Sequence, residues 1–143
     1  MQVVNKKASF NYFLYDKFEA GISLLGGEVK AARAGNIDLS QSYVKLIGDQ
    51  AYLVNANIPI EGKKEYNSTR SRKLLLHKDQ IISLKFRVKA KKLTVVASRV
   101  YNKGRLLKLE IALAKSKRTF EKKEAIKRKD IEREIEKEFK NSV

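Results

Sequence analysis

The sequence contains no cysteine and only one histidine, His77, among its 143 residues. Without cysteine the chain can form neither disulfides nor thiolate metal sites, which agrees with a reducing cytosol. A single histidine excludes three-histidine metal sites and the paired histidines of H-E-x-x-H helices. Several large classes of metalloenzyme and cysteine-dependent enzyme are therefore excluded.

Long hydrophobic runs are also missing. No segment approaches the ~20 consecutive apolar residues of a membrane-spanning helix, and residues 1–10 lack the apolar core of a signal peptide. We therefore expect a cytoplasmic protein that has no membrane partner.

Residues for catalysis are scarce as well. The glycines do not form the phosphate-binding patterns G-x-x-x-x-G-K-[ST] or G-x-G-x-x-G. Glu19 and Glu28 could be paired as metal ligands, but no third ligand lies near them in sequence. General acid–base or nucleophilic chemistry needs a denser set of groups. The sequence therefore predicts a protein that is not an enzyme, without a catalytic residue, a metal or a cofactor.

Positive charge is abundant, and it is unevenly distributed. The formal net charge is +16, and 34% of the residues are charged. Residues 1–62 are balanced, with six basic and six acidic side chains, whereas residues 63–108 hold fifteen basic and two acidic ones. This density predicts a polyanionic partner, because cations that neutralise phosphates release condensed counterions. Nucleic acid is the first hypothesis, and an anionic membrane surface is the alternative.

The first part of the chain has the pattern of a small β domain. Clusters of β-branched and aromatic residues between glycines predict strands over residues 10–15 and 21–25. Hairpins are predicted around Gly48-Asp49 and around residues 102–104, and helices over residues 28–34 and 78–88. Five or six antiparallel strands with two or three short helices predict a mainly β fold, a partly open barrel of the oligonucleotide-binding type. Residues 61–72 are predicted to form an exposed basic loop.

The last 29 residues, 115–143, contain neither glycine nor proline. Ile131, Ile135 and Phe139 repeat at helical spacing, but this apolar stripe is narrow. We expect a domain over residues 1–114 and a basic tail over residues 115–143 that becomes helical when it binds. A helix packed permanently on the barrel is the alternative.

Several motifs in their order and spacing resemble one bacterial family. They are Glu19-Ala20-Gly21-Ile22, Gly27-Glu28-Val29-Lys30, Arg33-Ala34-Gly35, Ser42-Tyr43-Val44, the segment from Arg70 to Lys78, and Lys108-x-Glu110-x-Ala112-Leu113-Ala114-Lys115. The chain resembles the SmpB family of SsrA-binding proteins over residues 5–129. The chain departs from the family pattern in three places. Ser68 replaces a usual proline, Ser116-Lys117-Arg118 replaces the tail's G-K-K, and Glu121-Lys122-Lys123 replaces D-K-R.

The resemblance implies an RNA-binding adaptor in ribosome rescue. Members of that family bind the tRNA-like domain of transfer-messenger RNA (tmRNA, or SsrA RNA) and support its charging by alanyl-tRNA synthetase. With elongation factor Tu they accompany it to stalled ribosomes in trans-translation, where the tail enters the empty mRNA channel beside the decoding region of the small subunit. A monomer is expected. The alternatives are a structural ribosomal protein and, more remotely, a nuclease.

The motifs and the basic loop suggest two sets of RNA-contacting residues. Glu19, Leu75, His77, Lys108 and Tyr12 match family positions implicated in RNA binding. With the basic residues of the R-x-R-K motif, the predicted tmRNA-binding set is Tyr12, Glu19, Arg70, Arg72, Lys73, Leu75, His77 and Lys108. The predicted ribosome-contacting set in the tail is Lys115, Lys117, Arg118, Glu121, Lys122, Lys123, Lys127 and Arg128. Leu75 is expected to touch a base, whereas Leu74 or Leu76 packs in the core.

Overall fold

The computed structural model describes residues 1–118 and the single residue Arg133. The predicted tail residues Glu121, Lys122, Lys123, Lys127 and Arg128 lie outside the described residues. So does the predicted stripe of Ile131, Ile135 and Phe139.

Within residues 1–118 the fold is one antiparallel sheet with three helices. The elements in chain order are β1 (Gln2–Val4), α1 (Lys6–Asn11), β2 (Tyr12–Ile22), α2 (Gly26–Arg33), β3 (Tyr43–Ile47), β4 (Gln50–Val54), β5 (Arg72–Leu75), α3 (Lys78–Lys91), β6 (Thr94–Lys103) and β7 (Leu106–Ser116). The sheet order is β1-β6-β7-β2-β5-β4-β3. The mainly β fold predicted from the sequence is therefore confirmed.

The sheet curls around its hydrophobic core without closing. β3 at one edge contacts β6 near the other edge, but β1 and β3 do not pair with each other. The enclosed side chains include Leu53, Leu74, Leu109 and Ile111, and Leu84 of α3 covers them. Burial of such side chains contributes about 1.5–3 kcal/mol each, so this interior supplies the main stabilising term of the barrel.

Both predicted hairpins and the predicted helix over residues 78–88 are confirmed. β3 pairs with β4 across Gly48-Asp49, and β6 pairs with β7 across Gly104. Gly48 and Gly104 have φ angles of 59° and 62°, in the left-handed region that glycine adopts without steric cost. Ile81 and Leu84 place α3 against the barrel.

The predicted division of residues 10–25 into two strands is wrong. β2 is a single strand of 11 residues that pairs with β7 along its length, with a register shift between Leu14 and Lys17. The polar residues Asp16, Lys17 and Glu19 interrupt the apolar pattern of this segment in the sequence. In the structure they are exposed positions of one continuous strand. Phe10 belongs to α1, a helix that the sequence did not predict.

The boundary predicted after residue 114 falls inside β7. Lys115 and Ser116 continue the ladder opposite Phe13 and Tyr12, and the Lys117 amide donates to the Asn11 carbonyl at 2.9 Å. The barrel therefore includes residues beyond Ala114.

Candidate nucleic-acid interface

A cleft of about 560 Å³ opens on the outer face of the barrel. β2, β5, β7 and the start of α3 form it together with the turn between β3 and β4. Five of the eight predicted tmRNA-binding residues line this cleft: Glu19, Lys73, Leu75, His77 and Lys108. They come from three separate sequence segments, so the fold itself brings the predicted site together.

The alternation of β5 divides its side chains between core and cleft. Leu74 is buried, whereas the next residue, Leu75, is 58% exposed. Leu75 lies opposite Gly21 of β2, and a Cβ atom at Gly21 would come within 3.0 Å of the Leu75 Cβ. The missing side chain at Gly21 therefore makes room for Leu75 on the cleft floor, where an unstacked base could contact it.

Glu19 supplies the carboxylate of the cleft. Tyr101 donates a hydrogen bond to its Oε2, and the Lys103 Nζ donates to its Oε1 at 3.1 Å. These two hydrogen bonds, the one from Tyr101 first, lower the pKa of Glu19. The ionised carboxylate can accept hydrogen bonds from base amino groups or ribose hydroxyls. It cannot bond in this way to phosphates, because they have no hydrogen to donate.

Cationic and polar groups complete the lining. Lys73 and His77 are exposed; His77 immediately precedes α3, and its backbone amide donates to the Gln80 side chain at 3.2 Å. Lys108 pairs in register with Gly21 on one side and Tyr101 on the other. The cleft thus combines ammonium groups for phosphates, an apolar floor and a hydrogen-bond acceptor.

The sequence prediction missed other polar residues of this site. Asp49, Gln50 and Gln80 line the cleft, and Tyr101 and Lys103 hold Glu19 from β6. Only the three-dimensional fold identifies them, because each lies more than 25 residues from Glu19 in the chain.

Arg72, predicted to contact RNA, is instead buried in the protein, and this prediction is corrected. Its side chain is fully buried and donates to Glu28 Oε2 from Nε at 2.9 Å and from Nη2 at 2.5 Å. It also donates to the carbonyls of Ala56 and Ser68. The guanidinium therefore joins α2 to the segment before β5 and is inaccessible to RNA.

Glu28 is the centre of this buried network. Burial opposes its ionisation, but hydrogen bonds from Arg70, the Leu25 amide, Tyr66 and Arg72 outweigh burial and lower the pKa of Glu28 to about 2. Arg70 is paired with Glu28 and keeps a third of its side chain exposed. It lies outside the lining of the cleft, so the structure separates both arginines of the motif from the other predicted residues.

Tyr12 also lies apart from the cleft. It is half-buried, packs against the cluster of Ala8, Val96 and Ala114, and lines a smaller depression of about 350 Å³ with Ser42 and Tyr43. Because Tyr12 and Glu19 do not line the same cleft, the structure does not support the predicted contact of Tyr12 with RNA.

The first tail residues are attached to the barrel. Lys115 belongs to β7, and Lys117 donates from Nζ to the Ser9 carbonyl at 3.1 Å while this ammonium lies 5.2 Å from the centre of the Phe13 ring. Arg118 is the last residue of the continuous described segment. Their contact with the ribosome stays a prediction.

Two further observations concern the part of the chain that the structure describes. It holds no group of three or more histidine, cysteine, aspartate or glutamate side chains arranged for a metal ion. None of its helices combines the length and apolar character needed to cross a bilayer.

Comparison with known proteins identifies the family of this chain. The family model described as SmpB protein matches residues 2–141. The SsrA-binding protein of Sulfurihydrogenibium sp. (strain YO3AOP1) is 49% identical over 142 residues, which cover 97% of this chain and 93% of that protein. The SsrA-binding protein of Malacoplasma penetrans (strain HF-2) is 46% identical over 141 residues, 96% of this chain and 97% of that protein.

The fold is also similar to a solved structure described as "tmRNA-SmpB: a journey to the center of the bacterial ribosome". The TM-score is 0.69 at 36% identity, and the match covers 87% of this chain and 94% of that one. With the family model matching nearly the whole sequence, the chain belongs to the SmpB family.

Proposed function

We propose that this protein is a non-catalytic adaptor of trans-translation that binds the tRNA-like domain of tmRNA through the cleft around Glu19, Leu75 and Lys108. The observation that carries the proposal is the convergence of five predicted contact residues in one cleft on the outer face. Membership of the SmpB family and similarity to proteins named SsrA-binding protein supply the identity of the RNA.

The chemistry of the cleft suits a folded RNA better than an unspecific polyanion. A purely electrostatic site would consist of cations, whereas this cleft adds an exposed leucine and an ionised carboxylate. Leu75 can contact the face of an unstacked base, and Glu19 repels phosphates while accepting hydrogen bonds from sugars and bases. Such a mixture favours RNA that presents unstacked nucleotides beside a backbone within reach of Lys73 and Lys108.

A competition gel shift tests this function. The full-length protein is bound to a labelled transcript of the tRNA-like domain at physiological salt and challenged with unlabelled transcript or with unrelated duplex RNA. We expect the unlabelled transcript to displace the labelled one from the protein, and the duplex RNA to displace it poorly. Equal competition by the transcript and the duplex would show that the protein binds RNA through unspecific electrostatic attraction, and this would refute the proposal.

The ribosomal part of the proposal concerns the tail. The protein acts as a monomer in the cytoplasm, supports the charging of tmRNA by alanyl-tRNA synthetase, and delivers the RNA with elongation factor Tu to stalled ribosomes. The part of the tail that follows Arg118, beyond the residues attached to the barrel, enters the empty mRNA channel beside the decoding region. The first half of this part, residues 119–129, holds five basic and two acidic residues, which favours contact with ribosomal RNA.

Truncation separates the two parts. Because Lys117 is bonded to α1 through its backbone, the chain is best shortened after Arg118 rather than after Ala114. We expect the shortened protein to keep its affinity for the tRNA-like transcript and to lose tagging of stalled products in a reconstituted translation reaction. A parallel loss of both activities would contradict the division into barrel and tail.

A further inference from the structure

A second polar cluster lies beside the cleft, on β6. The Tyr101 hydroxyl donates to Glu19 Oε2, and Lys103 donates to the other oxygen of the same carboxylate. We propose that Tyr101 is a positioning residue for RNA recognition, which holds the Glu19 carboxylate in its binding orientation and away from Lys108. This inference rests on the proposed function and deepens it.

The strand register explains why a tyrosine is needed. Glu19 lies opposite Glu110 of β7, and Glu110 lies opposite Arg99 of β6. Two strand spacings, about 9–10 Å, therefore separate the backbones of β2 and β6. Tyr101 spans β7 with its ring and places a hydrogen-bond donor at the far end. Phenylalanine would keep the ring and lose that donor.

The ring of Tyr101 is itself held in place. The Arg99 guanidinium carbon lies 4.5 Å from the centre of the ring, and the Arg99 Nε donates to Glu110 Oε2 at 2.8 Å. The Ser98 hydroxyl donates to the same oxygen at 2.9 Å. Burial first, and then the Glu19 carboxylate, raise the pKa of Tyr101 to about 12, so its hydroxyl stays protonated at physiological pH.

The position of Glu19 affects the charge that the cleft offers. Lys108 lines the same cleft as Glu19 and has no ion pair within the described part of the chain. Without the Tyr101 hydroxyl, only Lys103 would hold the Glu19 carboxylate, through one of its two oxygens. The carboxylate could then turn and pair with Lys108, whose charge already acts on it. That ion pair would withdraw both the acceptor and one cation from the RNA.

A double-mutant cycle in the full-length protein tests the inference. The variants are Tyr101→Phe, Glu19→Gln and the double variant, and binding of the tRNA-like transcript is measured by gel shift at fixed salt. Tyr101→Phe should weaken binding about tenfold, the lower end of what the loss of one hydrogen bond to a charged group costs. In the Glu19→Gln background the same change should alter affinity less than about twofold, because Tyr101 acts through Glu19.

A spectroscopic measurement separates positioning from a general effect on structure. In the free protein, NMR titration of the side-chain carboxyl should show a higher pKa for Glu19 in Tyr101→Phe than in the unsubstituted protein, because the Tyr101 hydrogen bond is the largest cause of its low pKa. Tyr15→Phe, which removes a hydroxyl from an exposed tyrosine elsewhere on β2, is the matched control and should change neither quantity.

The outcomes are distinguishable from those of the proposed function. If the unsubstituted protein does not prefer the tRNA-like transcript, the proposed function fails. If it does and Tyr101→Phe binds equally well, the inference fails. Equal losses in both backgrounds would likewise overturn it, because Tyr101 would then contact RNA independently of Glu19.

Discussion

Neighbouring residues of β5 should respond in opposite ways to the same substitution. Arg72 is fully buried against Glu28, whereas Lys73 is exposed and lines the cleft. Replacing each with methionine removes one positive charge and keeps a long unbranched side chain. Arg72→Met should destabilise the fold and spare the RNA-contacting surface, and Lys73→Met should do the reverse.

The magnitude follows from the buried contacts. Breaking a buried ion pair by removing one partner costs about 3–5 kcal/mol, and Arg72→Met also removes the donors to the carbonyls of Ala56 and Ser68. Glu28 keeps its bonds from Arg70, Tyr66 and the Leu25 amide, so we expect the lower end, about 3 kcal/mol. For a domain of this size that lowers Tm by roughly 10 °C.

Two measurements on each variant decide the matter. Thermal unfolding followed by circular dichroism reports stability, and gel shifts over a salt series, at a temperature where both variants are folded, report RNA binding. Lys73→Met should leave Tm within about 2 °C and reduce the slope of log affinity against log salt by about one. An Arg72→Met protein with unchanged Tm and weakened RNA binding would refute our assignment of Arg72 to the core.

Other predictions address acid stability and the cleft floor. Because the pKa of Glu28 is about 2 rather than 4.5, its ionised form contributes about 3 kcal/mol above pH 4.5, and this stabilisation is lost as the pH falls toward 2. The stability of Glu28→Gln, measured as Tm against pH, should therefore fall less steeply between pH 4.5 and pH 2 than that of the unsubstituted protein. An equally steep fall would contradict this. Leu75→Ala should weaken binding of the tRNA-like transcript severalfold, while Leu106→Ala, also at an exposed leucine, should leave the gel shift unaltered. Gly21→Ala should weaken the same binding by displacing Leu75, and equal affinity would show that the cleft floor tolerates the shift.

The sequence predicts local features of this fold well. Glycine at the turns identified both hairpins, and the apolar spacing of Ile81 and Leu84 identified α3. The resemblance to a family identified four residues that the structure places in one cleft, and the basic motif supplied a fifth, Lys73. These predictions rest on patterns between residues close in sequence, or on resemblance to a family whose contact residues are known.

The failures concern contacts between distant segments. Arginine is usually found on the surface, and the partner of Arg72, Glu28, lies 44 positions earlier in the chain. Polarity in a sequence predicts exposure, so a fully buried ion pair is missed unless the pairing is known. Tyr101 was overlooked for the same reason, since its partner Glu19 is 82 positions away and two strands distant.

The four residues of β5 serve both interior and surface, and this limits how the protein can change in evolution. An added residue within the exposed residues 61–65 could be absorbed by the loop. An added residue between Arg72 and Lys73 would exchange the two faces of the rest of the strand, because side chains alternate with a period of two. The Lys73 ammonium would then enter the core and Leu74 would leave it, so insertions should be tolerated in the loop and should prevent folding when they fall within the strand.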